Sequence, residues 1–112
     1  MKKSTGSPER MRISIVTATF NAEQVLPSLI DSLRNQTDMN FEWVVADGAS
    51  TDGTLDILQG IKDLNVHVSS QSDFGIYDAM NRALRLSTGD FYIVAGADDR
   101  FESDAIANFR AV

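Results

Sequence analysis

The sequence predicts an α/β fold: a Rossmann-like, mainly parallel sheet with helices on both faces. Four short segments rich in β-branched and apolar residues alternate with four segments whose apolar residues recur at helical spacing. Such alternation is typical of parallel strands joined by right-handed helical crossovers. The 112 residues, 43% of them apolar, suffice for one small domain, and the sequence contains no internal repeat or linker.

The predicted strands and helices follow one another without long gaps. The strands are Arg12 to Ala18, Phe41 to Ala46, Asn65 to Ser70 and Phe91 to Ala97. The helices run from Leu26 or Pro27 to near Gln36, from a cap at Ser50 or Thr51 to about Ile61, from Ile76 to Ser87 before a stop at Gly89, and onward from a cap at Ser103. On the third helix, Asp78 and Arg82 have the i,i+4 spacing of a weak ion pair.

The composition argues against several classes of function. The formal net charge is -6 and no basic cluster is present, which disfavours nucleic acid or an anionic membrane as the main partner. Without cysteine the chain has neither a disulfide framework nor a thiolate zinc site. No apolar run approaches the roughly 18 residues of a membrane span. Residues 1 to 11 lack the apolar core of a secretory signal, so we expect a disordered leader there.

Aromatic and acidic residues follow three of the four predicted strands. Phe20 comes after the first strand, Asp47 after the second, and the adjacent Asp98 and Asp99 after the fourth. Because the carboxyl ends of parallel strands share one edge, we expect these side chains in the crevice where open α/β sheets bind ligands. Two adjacent carboxylates are costly unless solvent, a proton or a cation compensates them, and a divalent metal that carries a phosphate is the most specific interpretation. An Asx turn that closes the strand is the simpler alternative.

The chemistry of these side chains suggests a role for each. The ring of Phe20 offers a flat apolar face to a nucleobase. Asp47, which only accepts hydrogen bonds when ionised, can receive an N–H from the base edge. Asp98 and Asp99 can hold a metal that neutralises a diphosphate. Together these roles predict a nucleotide site.

Three other kinds of α/β site fit less well. A dinucleotide site needs Gly-x-Gly-x-x-Gly after the first strand, where this chain has Thr17 to Asn21 without glycine. The glycine and lysine pattern of a P-loop is absent from the sequence. A phosphoacceptor domain also gathers carboxylates at strand ends, but it uses a lysine there, and Lys2, Lys3 and Lys62 do not follow a strand. It remains the weaker alternative.

Four segments carry a resemblance to a known family. They are Ile13 to Asn21, Asp47 to Thr54, Asp73 to Asn81 and Gly89 to Asp99. In this order they resemble the family-two glycosyltransferases of the GT-A fold, in particular bacterial enzymes that build colanic acid and related surface polysaccharides. The resemblance covers about residues 12 to 110. It implies that residues 12 to 112 form the nucleotide-sugar-binding half of a GT-A domain.

The resemblance also implies roles for individual residues. The implied nucleotide contacts are Ala18, Phe20, Asp47, Gly75, Asp78, Asn81 and Asp98. Asp98 and Asp99 would bind Mn²⁺ or Mg²⁺, and Gly96 replaces the first acid of the family's common Asp-x-Asp-Asp form, which leaves open which of the two is the main ligand. Asp78 and Asn81 could instead serve only to fix the start of the third helix.

Members of this family are inverting transferases that use a nucleoside-diphosphate sugar. The resemblance therefore implies a donor, most readily a UDP-sugar, and an acceptor glycan or lipid-linked sugar. The carboxylate general base of these enzymes lies well beyond the metal motif, so we expect it beyond Val112 and expect no catalysis without it. A non-catalytic nucleotide-binding or assembly module is the alternative. We also expect a cytoplasmic location, including the inner face of the membrane, and self-association into a homodimer through uncovered apolar surface.

Overall fold

The computed structural model describes residues 11 to 111, so all but the last residue of the expected leader lie outside the described residues. Strands and helices alternate along the whole described chain: β1 (Ile13–Thr19), α1 (Leu26–Arg34), β2 (Glu42–Asp47), α2 (Thr54–Gln59), β3 (Val66–Ser70), α3 (Ile76–Leu86), β4 (Phe91–Val94) and α4 (Ala105–Ala111). This confirms the predicted α/β class and its element order. None of these helices has the length and apolar character needed to cross a membrane.

The four strands form one parallel sheet in the order β3-β2-β1-β4. The chain moves outward from β1 through β2 to β3, and then returns to the other side of β1 to form β4. The direction of winding therefore reverses between β1 and β4. In open α/β sheets, ligands bind outside the carboxyl ends of the strands at this kind of switch point.

Helices cover both faces of the sheet because successive strand residues point in opposite directions. On one face, Ile13 and Ile15 pack with apolar residues of α1, α2 and α4 around the fully buried Trp43. On the other face, Val16 and Ala18 pack against α3. The predicted two-sided arrangement is confirmed, with the larger apolar cluster on the α1 side.

The fourth strand is shorter than predicted. It ends at Val94, although the apolar sequence continues to Ala97. Pairing with β1 reaches Ala95, whose N–H donates to Val16 O, and the chain then turns back on itself. In that turn the N–H of Asp99 donates to Gly96 O at 3.0 Å. Gly96 to Asp99 thus form a turn after the strand, and the apolar Ala97 belongs to it.

Two predicted helix caps and one helix stop are wrong. Helix α2 begins at Thr54, after both predicted caps: Ser50 hydrogen-bonds to Asp47, and the N–H of Thr51 donates to Asn21 Oδ1. Helix α4 begins at Ala105, two residues after the predicted cap. Gly89 does not end α3; it lies in the following loop, where its N–H donates to Ser14 Oγ at 2.8 Å. Ser50 and Gly89 thus hydrogen-bond within or across the loops beside those helices, and Ser103 precedes α4 without being its cap.

Candidate functional site

A cleft of about 740 Å³ opens at the carboxyl edge of the sheet, beside the switch point between β1 and β4. Its volume is that of a small-molecule site. Four of the predicted site residues line it: Ala18, Phe20, Gly75 and Asp98. Asn21, Gly48 and Asp73 also line it, although the sequence did not single them out as ligand contacts. The structure thus brings the ends of all four strands to one cleft.

Phe20 presents an exposed aromatic ring at this cleft, with 64% of its surface accessible. Its position is fixed by the next residue, Asn21, which has a positive φ of 48°. The N–H of Asn21 donates to Ser50 Oγ at 2.9 Å, and its side-chain oxygen accepts the N–H of Thr51 at 2.8 Å. The loop after β1 is therefore tied to the loop after β2, and the ring remains free to stack on a planar ligand.

Asp47 lies at the end of β2 and is fully buried beneath the cleft. Its carboxylate accepts hydrogen bonds from Thr19 Oγ1 at 2.7 Å, from Ser50 N at 2.8 Å and Ser50 Oγ at 2.6 Å, and from Ser70 Oγ at 3.0 Å. Burial alone would raise the pKa of Asp47, but these hydrogen bonds outweigh it and hold the pKa below its ordinary value. Asp47 is absent from the cleft lining and fixes the loop after β2, so its contact with a base stays a prediction.

The two adjacent acids after β4 occupy different positions. Asp98 is exposed and lines the cleft. Asp99 is also exposed, but its Oδ2 accepts the N–H of Gly96 at 2.7 Å and closes the turn. Asp99 therefore helps close the turn after β4, but it accepts the N–H three residues before it, whereas the carboxylate of an Asx turn accepts the N–H two residues after it. Asp98 is the acid that faces the cleft.

A metal at this position would need further ligands. Among residues 11 to 111, no group of three or more acidic or histidine side chains is arranged to hold an ion. Mg²⁺, however, is commonly bound through one or two carboxylates together with substrate phosphates and water. The oxygen donors of Asp98 and its neighbour fit that pattern, in which the ligand completes the site.

The start of α3 contains the other predicted site residues. Gly75, with a φ of 111°, lines the cleft. Asp78 Oδ2 accepts the N–H of Phe74 at 3.1 Å, and Asn81 is exposed; neither lines the cleft. Asp78 therefore fixes the start of the helix in this structure. Direct contact of Asp78 and Asn81 with a nucleotide stays a prediction.

Sequence reasoning missed the contact between Asp73 and Arg82. The i,i+4 spacing pointed to an Asp78–Arg82 pair, but Arg82 is buried and its ion pair is with Asp73, at 3.8 Å between Nη1 and Oδ2. An arginine on a predicted helix ordinarily faces solvent. Only the packing of α3 on the sheet turns this side chain inward.

Comparison with known proteins agrees with this geometry. The model of Glycosyl transferase family 2 matches residues 14–110. The chain belongs to glycosyltransferase family 2. A PGL/p-HBAD biosynthesis glycosyltransferase of Mycobacterium tuberculosis is 42% identical over 104 residues, which are 88% of this chain and 40% of that relative. This family-two chain thus spans less than half the length of that relative.

Solved glycosyltransferase structures share the fold. S. aureus TarS 1-349 in complex with UDP-GlcNAc superposes with a TM-score of 0.85 at 31% identity, over 90% of this chain and 30% of TarS. The mannosyltransferase PcManGT of Pyrobaculum calidifontis, in complex with GDP-Man and Mn²⁺, gives a TM-score of 0.75 at 28% identity, over 85% of this chain and 30% of that enzyme. The family-two and GT-A assignments from the sequence are confirmed.

Proposed function

We propose that the cleft binds a nucleoside-diphosphate sugar, most readily a UDP-sugar, as the donor for inverting transfer of a glycosyl group to an acceptor hydroxyl. The observation that carries this proposal is the switch-point cleft with the exposed ring of Phe20 and the exposed carboxylate of Asp98 on its lining. Support also comes from TarS and PcManGT, whose complexes contain UDP-GlcNAc and GDP-Man. The proposed partner is therefore a small molecule rather than a nucleic acid.

The proposed orientation follows from the chemistry of the lining. The ring of Phe20 provides a stacking surface for the base, and Asp98 provides an anionic oxygen beside β4. Because Asp98 would repel a diphosphate directly, the proposal includes a divalent ion, Mn²⁺ or Mg²⁺, held by Asp98 with Asp99 beside it. When bound, such an ion neutralises charge on the departing diphosphate. The Mn²⁺ in the PcManGT complex supports this cofactor class.

The remaining parts of the proposal concern the acceptor. Inverting transfer needs a base that removes the proton of the acceptor hydroxyl as that oxygen attacks the anomeric carbon. We assign no such base among residues 11 to 111, and its position beyond Val112 stays a prediction. An acceptor glycan or lipid-linked sugar in cell-envelope synthesis, a cytoplasmic site of action and a homodimer are likewise proposals.

Calorimetric titration with UDP tests the donor site. We expect the full-length protein to bind UDP more tightly with Mn²⁺ than without it, because the ion screens the diphosphate from Asp98. In Asp98→Ala this gain should disappear, whereas the exposed Asp56→Ala on α2 should behave like the parent. Equal UDP affinity with and without metal in the parent, or an unchanged gain in Asp98→Ala, would contradict the proposed role of Asp98.

A further inference from the structure

The guanidinium of Arg82 lies beneath the cleft and joins two strand ends. Its Nη2 donates to Asp47 O at 2.7 Å and to Ser69 O at 3.2 Å, and its Nε donates to Ser69 Oγ at 3.3 Å. Only 8% of the side chain is exposed. Arg82 extends from α3, so a single side chain connects this helix to the carboxyl ends of β2 and β3.

The counter-ion of Arg82 is a residue of the cleft wall. Asp73 Oδ2 lies 3.8 Å from Arg82 Nη1, and the Asp73 side chain is 11% exposed. Both of these atoms are buried, and within the described part of the chain neither has a hydrogen-bond partner. The pair is therefore held by charge rather than by a hydrogen bond.

Asp73 connects the buried Arg82 to residues that line the cleft. Its Oδ1 accepts the N–H of Gly75 at 3.1 Å, so the carboxylate fixes the turn that carries Gly75 along the lining. A Cβ atom on Gly48 would lie 2.9 Å from Asp73 Oδ2, which means that the carboxylate packs directly on the loop after β2. A shift of Asp73 would therefore displace both Gly75 and the loop that contains Gly48; this part of the cleft is called the Asp73 corner.

A buried arginine is costly unless a counter-ion compensates it, and removal of one partner leaves the other charge unpaired. Here the counter-ion itself lines the ligand cleft. The buried charge and the shape of the cleft wall therefore depend on each other. A helix surface pair could not have this effect, because solvent would compensate either charge.

Asp73 and Asp98 come to the cleft from opposite sides of β1. Asp73 follows β3 and Asp98 follows β4, and these are the two edge strands of the four-stranded sheet. Asp73, however, packs on Gly48 after β2, and β1 lies between β2 and β4, so about two strand spacings, roughly 10 Å, separate the two loops. If the diphosphate lies beside Asp98, the base end of the nucleotide lies toward Asp73.

We propose that Arg82 is a positioning residue for nucleotide binding, which acts through Asp73 to shape the base end of the cleft. This inference rests on the proposed donor site. It predicts that Arg82 sets affinity for the nucleoside part of the ligand and leaves the contribution of the metal unchanged. A purely structural role predicts lower stability without this selectivity.

The test is a double-mutant cycle on UDP binding in the full-length protein, measured by calorimetry with and without Mn²⁺. We expect Arg82→Met to weaken UDP binding by about tenfold while the ratio of affinities with and without Mn²⁺ stays at the parent value. Arg82→Lys should restore part of the loss, because it keeps the charge beside Asp73. Arg85→Met, at an exposed position of the same helix, is the matched control and should bind like the parent.

The double-mutant cycle also tests whether Arg82 affects nucleotide binding through Asp73. Asp73→Asn should weaken binding by itself, and the double variant with Arg82→Met should bind no more weakly than Arg82→Met alone. Additive losses, or a folded Arg82→Met that binds like the parent, would overturn the inference. If Arg82→Met does not fold, Asp73→Asn alone tests the inference. UDP binding like that of the parent overturns it, whereas weaker binding with an unchanged ratio of affinities with and without Mn²⁺ supports it. A parent protein that binds no nucleoside diphosphate would overturn the donor site as well.

Discussion

At the scale of single residues, the acids around the cleft differ in whether protein groups or the open cleft surround their carboxylates. Asp47 is surrounded by hydroxyl and amide donors of the protein, whereas Asp98 faces the open cleft. A buried carboxylate with this many donors stabilises the native state through charge-assisted hydrogen bonds. Asp47 is thus primarily an anchor for the loop that carries Ser50, and Asp98 is the acid available to a ligand.

The anchor role predicts a stability effect. Asp47→Asn keeps the side-chain shape but places an N–H₂ group among donors from Thr19, Ser50 and Ser70, which leaves some of them unpaired. We expect the free energy of unfolding in urea to fall by roughly 2–4 kcal/mol. The same change at the exposed Asp56 serves as the control and should cost less than about 1 kcal/mol. A parent-like Asp47→Asn would contradict the anchor role.

At the scale of elements, a buried amide joins the start of α4 to the end of α1. Gln36, just beyond α1, donates from Nε2 to Glu102 O at 2.6 Å and to Ser32 O at 3.0 Å, and its Oε1 accepts the N–H of Ile106 at 3.0 Å. All the contacts are to backbone groups, including one in the first turn of α4. Gln36 therefore accepts a backbone N–H at the start of α4, which is the capping role that the sequence predicted for Ser103.

Removal of this amide should loosen the start of α4. Gln36→Leu leaves the N–H of Ile106 and the carbonyl of Glu102 without the amide partner, and an unsatisfied buried group costs about 1–3 kcal/mol. We expect the amide of Ile106 to lose hydrogen-exchange protection together with overall stability. The control is Gln59→Leu, the same substitution at an exposed position at the end of α2. Unchanged protection at Ile106 would show that other contacts position the helix.

At the scale of the whole molecule, the sequence predicted the architecture better than the site. Periodicity and strand-terminal acids were sufficient to predict the sheet, its helices and the edge at which the cleft opens. These patterns could not show that protein groups already donate hydrogen bonds to both carboxylate oxygens of Asp47, because the donors come from three segments that only the fold brings together. They could not show that Arg82 points inward, because its spacing to Asp78 fits a surface pair equally well. Local pattern predicts elements, whereas the satisfaction of a polar group depends on tertiary neighbours.

Stability should depend on pH through three carboxylates whose pKa lies below its ordinary value of 3.8 or 4.5. They are Asp38, Glu42 and Asp47. For each one burial alone would raise the pKa, but hydrogen bonds from side chains and backbone together lower the pKa by more than burial raises it. On acidification these carboxylates therefore bind protons in the unfolded chain before they do so in the folded protein. The stabilisation they give at pH values above their ordinary pKa is lost as the pH falls toward their lower pKa in the folded protein.

Urea unfolding at a series of pH values checks this sign. We expect the free energy of unfolding to change little from about pH 7 to about pH 5 and to fall steeply below about pH 4.5. Asp47→Asn should flatten the acid limb relative to the parent, since one contributing carboxylate is gone. Stability that rises on acidification would contradict the assignment.

The central claim is that a nucleoside diphosphate occupies the switch-point cleft with a metal beside Asp98, and paramagnetic broadening of backbone amide signals tests it most directly. Mn²⁺ should be added to the isotopically labelled full-length protein in the presence of UDP. We predict the strongest broadening at the amides of Ala97 and Asp98, weaker broadening at Gly48 and Asp73 across the cleft, and loss of the pattern in Asp98→Ala. Broadening centred elsewhere, or the same pattern in Asp98→Ala, would contradict the account.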